Sequence, residues 1–179
     1  MSALVSLQLA TLTTLLGVAV FTDLRERRIP NKVTVPGLFA GLTIATAVEA
    51  GVPVAALGGA GLAFLVALPF VALGGFGGGD AKLLTAVGAF VGAGGLFSVV
   101  LYGALAGGLL ALGSAMRRGT LIPVLVNSGK LMVHLITLGR HGERFALDRP
   151  GAHSVPYGVA IAAGALATWF VPFSLGSSL

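Results

Sequence analysis

Long stretches of this chain carry no charge at all, and the breaks between them are short. A helix needs about 20 apolar residues to cross a hydrocarbon core about 30 Å thick. The apolar runs match that length, and they predict an all-α polytopic membrane protein with about six transmembrane helices. The spans are expected at about 4–22, 33–50, 54–73, 81–93, 96–116 and 154–173, all in one integral-membrane domain covering residues 1–179. Charged residues make up only 9% of the chain, against about 25% in an ordinary soluble domain. So few charges leave the surface of a soluble enzyme uncovered, and they exclude a disordered chain or a coiled coil.

The positions of the charges set the orientation. Arg25, Arg27, Arg28 and Lys32 follow the first run, Lys82 opens the fourth, and Arg117, Arg118, Lys130, Arg140, Arg144 and Arg149 lie between the fifth and the last. Alternating spans put all eleven Lys and Arg on one side and leave Glu49 on the other. By the positive-inside rule the basic loops are cytoplasmic and both termini lie outside, as in a multi-pass protein of a prokaryotic cytoplasmic membrane. The net charge of +5 is therefore an orientation signal, and neither a nucleic-acid partner nor any partner but lipid is read from it. Residues 1–10 carry no Lys or Arg, so the first run is expected to be a retained helix and not a signal peptide. Over 121–137 the polar residues Asn127, Lys130, His134 and Thr137 fall on one stripe, which predicts an amphipathic helix on the cytoplasmic interface, with a short re-entrant segment as the alternative. Small residues spaced for close helix packing recur at Gly37 and Gly41, Gly88 and Gly92, and Gly103 and Gly107.

Of six acids, Asp23 and Asp80 stand where spans meet the cytoplasmic side. Spans two and three form a hairpin that returns the chain to the same face, so these two carboxylates are expected to meet. An ionised acid at the hydrocarbon boundary is costly and marks a functional position. Two adjacent carboxylates share a proton. One then acts as base toward a water and the other as acid toward a carbonyl, which is the chemistry of aspartyl proteolysis. Taken alone, Asp23 is equally a solvated acid paired with Arg27 one helical turn on, and Asp80 an N-cap of the fourth span.

The run Gly77-Gly78-Gly79 before Asp80 removes side chains around the acid and allows close backbone approach. It lacks the G-x-x-x-x-G-K-[ST] pattern of a phosphate-binding loop. Lys82 is placed to pair with Asp80 or to reach the interface. Pro30-Asn31 reads as a turn that starts the second span and holds the first active-site loop. Tyr157 is either an interfacial anchor or a substrate contact. His134, His141 and His153 show no ligand spacing and there is no cysteine, so neither a metal site nor a cofactor is expected.

Gly77-Gly78-Gly79-Asp80 is a G-x-G-D motif, and Asp23-Leu24-Arg25-Glu26-Arg27-Arg28-Ile29-Pro30-Asn31 is similar to the other aspartate motif of the type IV prepilin peptidases. With Pro156-Tyr157-Gly158 opening the last span, the chain resembles the short form of that family, found with Flp or tight-adherence pili and archaeal pilin-like systems. The resemblance implies an intramembrane aspartyl endopeptidase that removes the basic leader of prepilins. Asp23 and Asp80 then carry over as the catalytic pair, with Gly77, Gly79, Pro30 and Asn31 in the active-site loops. Longer members add an N-terminal cytoplasmic region with paired C-x-x-C motifs linked to N-methylation; this chain has no cysteine, so methyl transfer is not assigned to it.

Composition and topology also fit two other classes. One is a small transporter or channel component with Asp23 and Asp80 as a proton or cation relay. The other is a scaffold in a pilus or secretion assembly. Only the paired motifs favour proteolysis. The fourth and fifth spans share too few residues for two full crossings, so Asp80 is expected either somewhat below the cytoplasmic surface, in a wet notch open to the side, or in bulk solvent at the end of a thinned or tilted hairpin.

Overall fold

The computed structural model describes residues 3–72, 76–120 and 157–171, together with Ile122 and Val126. Among them the chain is wholly helical, in the order α1 (Ala3–Glu26), α2 (Asn31–Glu49), α3 (Val54–Ala72), α4 (Gly78–Arg117) and α5 (Tyr157–Phe170). Helices α1, α3 and α4 are long and apolar enough to cross a membrane, and α5 is a shorter apolar helix. Helix α2 is more polar, but its Thr43 and Thr46 hydroxyls donate to the Phe39 and Leu42 carbonyls one turn back. Such back-bonding satisfies each hydroxyl within its own helix. The helix expected over 121–137 lies outside the described residues except at Ile122 and Val126. Glu143, Asp148 and the three histidines lie outside them too.

The packing is built from small residues. Ala19, Ala63, Ala67, Ala86 and Ala165 are fully buried, while Phe21, Phe39, Leu65, Leu109 and Phe170 are more than half exposed. A soluble protein would aggregate through such a surface. In lipid it costs nothing, and association depends instead on close backbone approach. Helix α3 meets the first part of α4 where a Cβ on Gly59 would strike the Gly88 carbonyl, and one on Gly88 the Gly59 carbonyl. Helix α5 meets the later part of α4 the same way, with Gly164 against the Val99 carbonyl and Gly103.

Three boundaries differ from the expected ones. The first helix does not stop at Thr22; it continues through Glu26, which places Asp23 in its last turn. Charges end an apolar run, but nothing in Asp23–Glu26 breaks a helix. The break comes at Arg27, in the left-handed region at φ 53°, ahead of Pro30. Second, α4 begins at Gly78 and not at Ala81, so Asp80 lies inside its first turn. Third, the loop expected around Gly92–Gly95 is a single residue. Gly92 alone leaves helical geometry, at φ 68° and ψ 176°, a region essentially reserved for glycine. At this break the Phe90 carbonyl accepts from the Gln8 side chain at 2.6 Å, which ties α1 to α4.

The bend reverses the chain. Leu84 before it and Ala111 after it line one cavity, although on a straight helix they would stand about 40 Å apart at about 1.5 Å per residue. The two arms of α4 therefore fold back on each other, with α3 against one and α5 against the other.

Candidate active site

Three chain segments converge at the end of the bundle that holds Asp23 and Asp80. The α1–α2 connection brings Ile29 against the start of α4, where a Cβ on Gly79 would lie 2.8 Å from the Ile29 carbonyl oxygen. The start of α5 comes against Asp23. There the Gly158 N–H donates to Asp23 Oδ2 at 2.9 Å, a buried bond between residues 135 positions apart. A Cβ on Gly158 would sit 2.8 Å from that same oxygen and 3.1 Å from Ile29 Cδ1. Glycines at 79 and 158 are thus what let the three segments close.

Asp23 is 6% exposed, so it is not a solvated loop acid, although the charge of Arg27 does act on it. Its bond from the first turn of α5 sets it at the positive end of that helix dipole. Asp80 is half-buried. It is not the N-cap of α4, a position held by Gly77; its Oδ2 accepts from the Gly77 N–H at 3.0 Å, from the third helical position back to the cap. Gly77 therefore takes part through its backbone. Ile29 lies against both Gly79, the neighbour of Asp80, and Gly158, the partner of Asp23, so the segments that carry the two acids pack together. No third acid joins them among the described residues.

Pro30 is the N-cap of α2, in extended conformation, and its carbonyl accepts from the Val33 and Thr34 N–H groups. Asn31 opens the helix. Its Oδ1 accepts from Lys82 Nζ at 2.8 Å, so Lys82 pairs with Asn31 and not with Asp80. This clip joins the α2 N-terminus to the α4 N-terminus two residues beyond Asp80. Pro30 and Asn31 thus lie where the start of α2 is tied to the start of α4.

Aromatic rings close the remaining side. Phe76 stacks on Phe70 with centroids 5.1 Å apart, and Tyr157 packs against Phe76 at the same separation. Tyr157 opens α5 next to Gly158, the residue that binds Asp23. In the sequence Gly158 stood out only as part of Pro156-Tyr157-Gly158, with no site role, and Phe76 not at all. The signal for Gly158 was a glycine after Pro156-Tyr157 at the mouth of an apolar run; for Phe76 it was a lone aromatic inside a glycine run.

No curated protein and no solved structure matches the chain. Residues 10–112 match the model of the type IV leader peptidase family. The matched region covers more than half of the chain and includes both aspartates, the Pro30-Asn31 turn and the Gly77–Gly79 run. This chain belongs to the type IV leader peptidase family, a family of proteases.

Proposed function

We propose that the protein is an intramembrane aspartyl endopeptidase that removes the basic leader from type IV or Flp-type prepilins at the cytoplasmic membrane face. The observation that supports this reading is the convergence of the segments that bear Asp23 and Asp80, both of them within the matched region. Each has one oxygen held by a backbone N–H, from Gly158 and Gly77 respectively. In this mechanism a single proton is shared between the acids. The ionised member removes a proton from a water as it attacks the scissile carbonyl, and the protonated member donates to the carbonyl oxygen. Collapse of the tetrahedral intermediate then breaks the C–N bond, with a proton returned to the leaving amine. Asp23, bonded in the first turn of α5, is the member better suited to remain ionised.

The proposed topology has six crossings, with α4 supplying two and both termini outside. The first arm of α4, residues 78–91, spans only about 21 Å at about 1.5 Å per residue, short of a hydrocarbon core of about 30 Å. If the bend at Gly92 lies at the outer surface, Asp80 stands below the cytoplasmic one. A site at that depth suits a substrate that stays embedded while its basic leader projects into the cytoplasm. Co-expression with a candidate prepilin, followed by leader loss on a gel, tests the reading. Conversion to the shorter pilin is expected, and an unchanged precursor across a panel of prepilins counts against it. The relay and scaffold readings have no specific observation in their favour.

A further inference from the structure

An apolar cavity of about 350 Å³ lies between α3, both arms of α4 and α5. Its wall reaches the neighbourhood of the acids. Leu84 in its wall is one turn along α4 from Asp80 on the same helix face, and Phe76 and Tyr157 line it as well. Resting on the peptidase reading above, we infer that this cavity is the subsite for the apolar side chains that follow the scissile bond, and that the small residues of the second α4 arm set the size it admits.

The chemistry of the walls selects the occupant. Apart from the Tyr157 hydroxyl, the lining side chains are apolar, so a Lys or Arg of the leader would lose its hydration there with no partner. The leader therefore stays on the cytoplasmic side, and the apolar side of the bond enters the cavity. The volume is at the low end of ligand pockets, which run from about 300 to 1,000 Å³; it admits one or two large side chains and no whole helix. Access is lateral, because Ala104 and Gly108 in the wall are exposed, as is Phe70 across from them. An embedded substrate reaches such an opening without leaving the bilayer. A lipid tail is the competing occupant.

The walls themselves supply the test. A Cβ on Gly108 meets nothing within 4 Å, so Gly108→Leu adds bulk at the cavity wall without displacing backbone, and Ala104→Leu enlarges a wall side chain at an exposed position. Gly113 is equally open but lies outside the lining, and Gly113→Leu is the control. Protein in lipid nanodiscs is assayed with two versions of one prepilin, one with its large residues after the cleavage point and one with those residues trimmed to alanine. Both wall variants are expected to raise KM for the bulky substrate about tenfold or more, with kcat less affected and the trimmed substrate processed as by the wild type. Gly113→Leu is expected to match the wild type on both. Unchanged KM in the wall variants overturns the subsite and leaves the cavity to lipid. An equal loss on both substrates overturns it too, because that is packing damage. If the wild type cleaves neither substrate, the peptidase reading itself fails, an outcome distinct from either of these.

Discussion

Replacing Gly158 with alanine adds one methyl group at the point where α5 touches Asp23. That carbon would sit 2.8 Å from Asp23 Oδ2, 3.1 Å from Asp23 Cβ and 3.1 Å from Ile29 Cδ1, where carbon contacts are optimal at about 3.5–4.0 Å. Relief requires the carboxylate to move by about half an ångström or more, against Ile29 on one side and the α5 backbone on the other. The 2.9 Å bond from the Gly158 N–H is lost or badly lengthened. Hydrogen bonds to charged groups are worth about 1.5–3 kcal/mol, which corresponds to about 10–100-fold in rate if the bond is needed in the transition state. Misplacement of a catalytic group by about 1 Å has a similar cost. Helix α5 itself does not suffer, because alanine is a better helix former than glycine. The assay is the initial rate of leader removal in membrane vesicles, normalised to inserted protein, with Gly61→Ala as the matched change at a site where a Cβ meets nothing. The expected result is a loss of about 10–100-fold for Gly158→Ala and none for Gly61→Ala. A Gly158→Ala rate within twofold of wild type would refute the claim that this contact positions Asp23.

Gly79→Val is expected to cost activity more than expression, because its side chain would press on the Ile29 carbonyl between the two aspartate-bearing segments; full activity would make the glycine run a plain linker. Gly92→Ala is expected to lower the yield of folded protein, with a backbone cost of about 1–3 kcal/mol for a side chain in that conformation, read as a lower thermal midpoint in detergent. A dyad that needs one proton between two acids loses activity both when that proton leaves and when a second arrives, so the pH–rate profile for leader removal should be bell-shaped; a single-sided profile would point to one working acid. Single cysteines near Glu49 and Gly94 should react with an impermeant reagent from outside the cell, and one near Arg27 only after the membrane is opened; the reverse pattern would invert the topology.

Much of this fold was legible because a membrane imposes its length scale on the sequence. The bounds expected at 54–73 lie within a residue of α3, and those at 33–50 within two residues of α2, a helix that is not among the three long and apolar enough to cross a membrane. Where the reading slipped, it treated a change of polarity as a change of structure. Asp23 looked like a loop residue because charges begin there, yet a helix ends by backbone geometry, here at Arg27 ahead of Pro30. The four small residues at Gly92–Gly95 looked like a loop, whereas one glycine in a conformation closed to other residues was enough. The two acids were singled out by their position at span ends. Gly158 was not, because its contribution is an N–H and a missing side chain, and neither has a pattern in one sequence. The Lys82–Asn31 clip was missed for a related reason: a lysine beside an aspartate suggests an ion pair, while its real partner comes from another helix.

The central claim is that Asp23 and Asp80 together cut the substrate, and single asparagine substitutions test it most directly. Asparagine keeps the size of each side chain and can still accept from the Gly158 or Gly77 N–H, while removing the titrating group. Purified wild type, Asp23→Asn and Asp80→Asn, reconstituted in lipid with one prepilin, are followed for the released leader by mass spectrometry, with Glu49→Gln as an acid outside the site. Leader release by the wild type and by Glu49→Gln, and none by either aspartate variant, is the predicted result. Leader release by Asp23→Asn or Asp80→Asn at a rate near that of the wild type would contradict the shared-acid mechanism.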